Sequence, residues 1–130
     1  LASSEAAFSV LICFEDTVAK IARKMVRNGA RMLVNQTNDA WFDPSAASRQ
    51  HMAHCVFRCV ENGVPAVRSA NSGVTCHIDR RGQIVGAAVV PVEGATVDPA
   101  ALRERLRPEL SVYKIPRRVL VPALPGPEEI

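Results

Sequence analysis

The sequence is poor in aromatic residues and contains no long apolar run. Phe, Trp and Tyr make up 5% of its 130 residues, whereas 48% are apolar and 22% are charged. A membrane-spanning helix needs about 20 consecutive apolar residues, and no stretch approaches that length. The N-terminus also lacks the basic and hydrophobic regions of a signal peptide. We therefore expect no membrane span and a soluble piece, which begins at Leu1 because it was processed or cut from something longer.

The sequence also lacks the concentrated basic patch of a nucleic-acid-binding surface. The net charge is +3 and the sequence pI is about 8.9. A late group of basic residues between positions 103 and 118 is interrupted by Glu104 and Glu109. No run of aromatic residues accompanies this group to stack on bases. We therefore expect a solvated helix face in this region and no nucleic-acid partner.

Cysteine is scarce, with four residues at positions 13, 55, 59 and 76. They allow three pairings in an oxidising compartment, but they fall within predicted strands and a helix, which favours free thiols. His51, Cys55 and Cys59 recur every four residues on one predicted helix, with His54 nearby, and such groups are zinc ligands. Two of these positions are needed for the helix's apolar stripe, however, and ligands along one straight helix do not converge well on one ion. We therefore expect no metal and no cofactor.

Apolar periodicity predicts strands that alternate with helices. The predicted strands cover residues 8–13, 32–34, 64–70, 74–79, 83–91 and 113–121, and the predicted helices cover residues 17–28, 45–61 and a segment that begins at Asp98-Pro99. A polar loop at residues 35–39 follows the second strand, and residues 71–73 form a hairpin turn. Pro116 confines the last strand to a sheet edge. The pattern predicts a mixed α/β fold whose first two strands are joined by a right-handed helical crossover.

Cys13 stands where the first apolar strand turns into the first helix. Enzymes place nucleophiles at such turns, because the turn exposes the sulfur and the start of a helix favours the thiolate. A cysteine at the end of an apolar strand is also a common inert packing residue. The position alone leaves both interpretations open.

Three motifs that include Cys13 resemble one known family in order and spacing. They are Cys13-Phe14-Glu15, then Asn38-Asp39-Ala40-Trp41-Phe42, then Arg58-x-x-Glu61-Asn62-Gly63 through Asn71-Ser72-Gly73. Residues 8–85 resemble the C-terminal half of the nitrilase-like domain of the apolipoprotein N-acyltransferases. The resemblance implies a family that acts at the bacterial inner membrane. It moves a fatty acyl chain from a phospholipid to a lipoprotein N-terminus through a thioester on its cysteine.

The resemblance assigns roles to four residues of this chain. Cys13 is the nucleophile and Glu15 an essential supporting carboxylate beside it, so both are catalytic. Phe14 occupies the aromatic position after the nucleophile, and Trp41 belongs to the active-site loop, so both bind substrate. Physically, Glu15 can accept hydrogen bonds that hold the turn. Glu15 read as a first-turn helix acid and Trp41 read as a loop residue folded onto the core are the alternatives.

This chain departs from the family pattern in two ways. The general-base glutamate and the oxyanion-stabilising lysine of a nitrilase-type site come from segments before the cysteine strand. Only a few residues precede that strand here, and Glu5 is too close to serve as the base. The family also has glycine where this chain has Asp43. We therefore expect this chain to be inactive as given.

The rest of the chain resembles a different family. Ala87-Ala88-Val89-Val90-Pro91 and Tyr113-Lys114-Ile115-Pro116-Arg117 look like the C-terminal domain of AMP-forming acyl-CoA synthetases. We therefore expect half of a nitrilase-like αββα sandwich at residues 1–85 and a small α+β tail at residues 86–130. Two partial domains in one chain suggest a recombined or engineered hybrid or a truncated gene product, with the two pieces in separate cores or in one shared core. The alternative to an acyltransferase fragment is a non-catalytic α/β unit that associates into homo-oligomers, because a half domain leaves sheet edges and an apolar face uncovered.

Overall fold

Six strands form one mixed sheet, in which each strand lies beside the strand that precedes it in the chain. The computed structural model describes residues 7–42, 45–89, 95–108 and 115–121. The strands are β1 Phe8–Ile12, β2 Met32–Thr37, β3 Ala66–Ala70, β4 Thr75–Ile78, β5 Ile84–Ala88 and β6 Arg118–Leu120, and the helices are α1 Ala19–Arg27, α2 Ala47–Asn62 and α3 Pro99–Leu106. Short 3-10 turns at Cys13–Thr17 and Ala40–Phe42 follow β1 and β2.

The direction of the first three strands decides where the chemistry lies. β1, β2 and β3 are parallel, β3 to β5 are antiparallel, and β6 is parallel to β5. Ile12 is paired with Gln36, and Gln36 with Ser69. Because parallel strands end at the same edge of a sheet, the segments that follow β1, β2 and β3 meet there.

α1 and α2 cover one face of this sheet. The apolar positions of α1 recur at helical spacing, so one stripe of the helix faces the strands. Leu11, Leu33 and Ala66 of the sheet pack with Ala22 of α1 and Cys55 of α2. Burial of each larger apolar side chain contributes about 1.5–3 kcal/mol, so this cluster is the main source of cohesion between the layers. Among the described helices, none has both the length and the apolarity that a bilayer crossing requires.

The other face of the sheet carries exposed apolar side chains. Strand alternation places Phe8 and Ile12 of β1 opposite Leu11, and they are 58% and 55% exposed. Val67 of β3 points the same way and is 37% exposed. α1 and α2 therefore form a single layer over one side, as in half of a sandwich.

The predicted order of strands and helices is confirmed, but the polar loop predicted at residues 35–39 is wrong in its first part. Asn35 and Gln36 continue β2, because they pair with β1 on one side and with β3 on the other, and Thr37 follows with a pairing to Ala70 of β3. Asn35 is fully buried, and its side chain donates to backbone carbonyls of β1 and of the following turn. Hydrogen bonding in the middle of a sheet outweighs the low strand propensity of these polar residues.

Smaller differences lie at the ends of elements. α1 begins two residues later than predicted, because residues 13–17 form a 3-10 turn first. The predicted cap of α3 is confirmed, since the Asp98 carboxylate accepts from the Ala100 amide at 2.9 Å. β6 lies at the sheet edge beside β5, as Pro116 predicted. The predicted strand residues 90–91 and 113–114, and Asp43, lie outside the described residues.

Candidate functional site

The turn after β1 holds Cys13 in an unusual backbone conformation. Its φ is +48°, and it is the one non-glycine residue with positive φ among the described residues. The left-handed region costs an L-residue about 1–2 kcal/mol, so neighbouring groups have to hold it there. Asn35 Nδ2 donates to the Cys13 carbonyl at 3.1 Å. We call Ile12 to Glu15 the Cys13 elbow.

The thiol of Cys13 differs from the other three thiols in exposure. Cys13 is half-buried, whereas Cys55, Cys59 and Cys76 are buried in the apolar core. Burial raises the pKa of Cys76 to about 12, and a hydrogen bond with Cys55, followed by burial, raises the pKa of Cys59. The thiols of Cys59 and Cys76 therefore stay protonated and inert. Thr37 Oγ1 lies 3.5 Å from the Cys13 sulfur.

Glu15 joins the two ends of the Cys13 elbow by a hydrogen bond. Its Oε2 accepts a hydrogen bond from the Ile12 amide at 2.8 Å. That bond spans Cys13, and Thr17 Oγ1 adds a second local bond by donating to the Phe14 carbonyl. Glu15 therefore links the backbone on the two sides of Cys13. Its contact fits both a capping acid and a carboxylate that supports the nucleophile.

The two predicted aromatic residues differ in their contacts and exposure. Phe14 is 55% exposed, and its ring stacks on His51 with a centroid separation of 4.9 Å. Trp41, in the 3-10 turn after β2, is 81% exposed. The alternative in which Trp41 folds onto the core is therefore wrong. The neighbouring Phe42 is the ring that packs inward, against Phe14 and His51.

A fully buried carboxylate, Asp39, lies at the centre of a polar cluster near the elbow. Its Oδ1 is bonded to Thr37 Oγ1 at 3.0 Å and His51 Nδ1 at 2.9 Å. Its Oδ2 accepts from Ser48 Oγ at 3.1 Å and Arg68 Nη2 at 2.9 Å. Burial acts to raise the pKa of Asp39, but the bond from His51 and the charge of Arg68 outweigh it and lower that pKa below its ordinary value. Asp39 is therefore the ionised centre of the cluster.

A second buried carboxylate, Asp16, completes this cluster. Its Oδ1 lies 2.9 Å from His51 Nε2, and its Oδ2 has no hydrogen-bond partner among the described residues. Burial raises the pKa of Asp16, and the nearby His51 only partly opposes that rise. We call Asp16, Asp39, His51 and Arg68 the buried charge cluster.

A shallow cleft of about 190 Å³ opens beside the elbow, lined in part by Phe14, Phe42, Gln50, His51 and His54. Of the residues assigned from the sequence, Phe14 lines it, whereas Cys13, Glu15 and Trp41 do not. Within the described ranges, no group of three potential metal-ligating side chains is arranged around one point. Both ring nitrogens of His51 face carboxylates, whereas Cys55 and Cys59 lie in the apolar core.

The buried charge cluster was not predicted from the sequence. Arg68 could have indicated the cluster, because it shares a strand face with buried Ala66. A charged side chain at such an inward position needs a partner. His51 was considered only with cysteines of its own helix. Its partners come from the turn after β1 and the segment after β2, which are distant in the sequence.

The chain is similar in sequence to known proteins. A family model described as carbon-nitrogen hydrolase matches residues 1–104. The chain is 54% identical over 77 residues to an apolipoprotein N-acyltransferase of Geobacter metallireducens, which covers 59% of this chain and 15% of the relative. It is 36% identical over 104 residues to that of Allorhizobium ampelinum, covering 78% and 19% respectively. The chain therefore spans less than a fifth of the length of these relatives.

Solved structures show the same fold at low identity. A carbon-nitrogen hydrolase from Helicobacter pylori G27 matches with a TM-score of 0.58 and 13% identity, over 65% of this chain and 36% of that chain. A Nesterenkonia amidase of the nitrilase superfamily matches with a TM-score of 0.52 and 19% identity, over 62% and 32%. The expected mixed α/β, nitrilase-like fold is confirmed. The family match extends past residue 85, and the resemblance of residues 86–130 to acyl-CoA synthetases stays a prediction.

Proposed function

Because this chain belongs to the carbon-nitrogen hydrolase family, we propose that it carries the nucleophile-bearing part of a thioester-forming acyltransferase site. The observation that carries the proposal is the Cys13 elbow, a half-buried thiol on a left-handed turn at the end of a parallel strand. A nucleophile needs access on one side and rigid support on the other. Cys13 has both, whereas the other thiols are buried.

The proposed chemistry has two steps. The Cys13 thiolate attacks the ester carbonyl of a phospholipid, and the glycerol oxygen leaves and takes up a proton, which gives a lysophospholipid and an acyl thioester. The terminal amine of a lipoprotein then attacks the thioester, loses a proton and forms an amide, while the thiolate is released. The acceptor class is supported by relatives named apolipoprotein N-acyltransferase, and the phospholipid donor by the resemblance of the Cys13 and Trp41 motifs.

The supporting roles follow from the contacts at the elbow. Glu15 holds the Ile12 amide across the thiol. Phe14 and Trp41 supply exposed apolar rings suited to an acyl chain. The general base and the oxyanion-stabilising lysine are expected on segments other than those described here, so we propose that this chain alone does not turn over.

Intact-protein and peptide mass spectrometry tests the proposal. The chain is incubated with phospholipid vesicles and, separately, with a p-nitrophenyl acyl ester, whose better leaving group lowers the need for the absent base. We expect an acyl adduct on the Cys13 peptide in the wild-type chain and in C55A, and none in C13A. C55A is the matched control, because it removes a thiol of the same chain from the core. An adduct that persists in C13A, or none with either donor, contradicts the proposal.

A second candidate is supported by the open sheet face. Phe8, Ile12 and Val67 leave apolar surface exposed on the side opposite the helices, and such surface favours association. The chain would then be a non-catalytic α/β unit that forms homo-oligomers. Light scattering tests this candidate: a concentration-independent monomer contradicts it. If Cys13 is alkylated no faster than the three core cysteines, this candidate is favoured over the enzyme.

The division of the chain at residue 85 is a separate proposal. β5 extends the sheet of β1 to β4 beyond that point, which supports a shared core for the two segments. The hybrid origin is tested by sequencing the source gene. A continuous upstream frame that encodes the missing glutamate and lysine contradicts it.

A further inference from the structure

The acyl transfer proposed above gives no role to the buried histidine beside the elbow. His51 is 3% exposed, with Asp39 Oδ1 2.9 Å from its Nδ1 and Asp16 Oδ1 2.9 Å from its Nε2. A neutral imidazole has one N–H and cannot donate to two carboxylates. If both carboxylates were ionised and His51 were neutral, two lone pairs would face each other in a buried site. Asp16, Asp39 and His51 together therefore hold one proton more than two ionised carboxylates and a neutral ring would hold.

The contacts of Asp39 indicate where the additional proton lies. Thr37, Ser48 and Arg68 all surround Asp39, and its lowered pKa keeps it ionised. His51 Nδ1 therefore carries a proton toward Asp39. The additional proton lies between His51 Nε2 and Asp16 Oδ1, and the burial that raises the pKa of Asp16 favours its retention.

The same ring touches the backbone of the nucleophile. His51 Nε2 lies 3.3 Å from the Cys13 carbonyl oxygen, and the ring face of His51 stacks on Phe14, the next residue. The Cys13 carbonyl therefore has two nitrogen neighbours, from Asn35 on β2 and from His51 on α2. These contacts come from two different elements and oppose relaxation of the left-handed backbone.

A second link runs from the buried charge cluster to the sulfur. Thr37 Oγ1 lies 3.0 Å from Asp39 Oδ1 and 3.5 Å from Cys13 Sγ. A hydroxyl has one proton, so it can donate to only one of these at a time. While it donates to Asp39, it can accept from the thiol. When the sulfur becomes a thiolate, the Thr37 hydroxyl can rotate and donate its proton to the sulfur instead of to Asp39.

We infer that His51 is the positioning residue of the Cys13 elbow, and that it acts with one proton held between its ring and Asp16. The inference rests on the proposed function in taking Cys13 as the nucleophile. In this arrangement His51 shares a balanced set of charges with two carboxylates and one arginine. Loss of the ring removes the positive charge that it shares near the sulfur and one contact of the Cys13 carbonyl. The titratable and charged groups around His51 are Asp16, Asp39, Arg68 and Cys13 from other elements, and His54 and Arg58 from its own helix.

Peptide-resolved alkylation with iodoacetamide across a range of pH tests the inference on the full chain. We expect H51Q to slow alkylation of Cys13 about tenfold near neutral pH, the effect of losing a hydrogen bond to a charged group. The pH of half-maximal rate should also rise, because the positive charge shared by the His51 ring no longer favours the thiolate. H54Q is the matched control, since His54 is three residues away on the same helix and lines the same cleft. Its profile should match the wild type.

A purely structural role for His51 would change stability without moving the pH profile. If H51Q remains folded by circular dichroism and its profile overlays that of H54Q, the inference is wrong. If H51Q does not fold, proton NMR of the unmodified chain decides. Two low-field, exchange-protected protons on the hydrogen bonds of the His51 ring, retained in H54Q, support the inference, and a single one overturns it. Neither measurement needs acyl transfer, so absence of an acyl adduct on Cys13 refutes the proposed function separately.

Discussion

Along the stripe of α2 that faces the sheet, the start of the helix buries polar side chains, whereas its later turns bury Cys55 and Cys59 beside the charged Arg58. Ser48 and His51, near its start, face carboxylates at the carboxyl ends of the parallel strands. Cys55 and Cys59, one and two turns later, pack in the apolar core. One helical stripe thus serves as a site wall at one end and as ordinary core at the other. The position of a buried residue along a strand or helix therefore decides its chemistry.

The two ends also differ in how much one change can cost. Apolar contacts in the core are many and individually small. The polar end relies on a few groups, each with several partners. Loss of one group leaves its partners buried without a hydrogen bond or counter-charge. Substitutions at the polar end should therefore be more destructive than their size suggests.

The largest effect is expected for Asp39→Asn. The change removes the charge that pairs with buried Arg68 and leaves an uncompensated cation, which costs about 3–5 kcal/mol. Urea denaturation measures the loss. Glu104→Gln is the control, because it breaks the Glu104–Arg107 pair, whose side chains are 67% and 62% exposed, and exposed pairs contribute only about 0–1 kcal/mol. If both variants lost the same free energy of unfolding, the buried charge cluster would be no more important to stability than an exposed ion pair.

A glycine near each end of α2 offers a finer comparison. A Cβ at Gly73, where φ is +83°, would collide with Ser48 Oγ and approach Asp39 Oδ2 at 3.1 Å. A Cβ at Gly63, the C-cap with φ +66°, would meet nothing within 4 Å. Gly63→Ala should therefore cost only the backbone term of about 1–2 kcal/mol, and Gly73→Ala more. Thermal unfolding of both variants measures the difference, and a smaller loss for Gly73→Ala contradicts the packing at the polar end.

The polar end should also respond to acid, whereas the apolar end should not. The pKa of Asp39 lies below its ordinary value of 3.8 in the folded chain. Its stabilising contribution is therefore complete above 3.8 and is lost as pH falls below that value through the folded pKa. Asp16 has a raised pKa and acts in the opposite sense above 3.8, where its ionisation costs stability. The free energy of unfolding, measured above and below pH 3.8, tests this response. A free energy of unfolding that keeps rising as the pH falls below 3.8 would contradict it.

The smallest effect on stability is expected for Trp41→Ala. Its side chain is 81% exposed, so the free energy of unfolding should change by less than about 0.5 kcal/mol. Under the proposed function the same change should reduce the acyl adduct on Cys13. Urea denaturation and adduct mass spectrometry together separate these results. A large stability loss would show that Trp41 packs against the fold.

Much of the fold could be predicted locally, and part of the site could be too. Apolar runs and helical stripes identified the strands and helices, and the apolar run before Cys13 located the elbow. The continuation of β2 through Asn35 could not be predicted, because these polar residues become strand only between two neighbours. Glu15 and Phe14 were found because they adjoin Cys13 in the sequence.

By itself, the sequence determined the order of the elements, the family resemblance and the place of the thiol at the end of a strand. These depend on local patterning, since periodicity and turn residues act over a few positions. Only the tertiary structure decided that Asp16, Asp39, His51 and Arg68 share one buried cluster. The physical reason is that parallel strands bring segments distant in the sequence to one sheet edge, where buried charges are tolerated only when they meet partners.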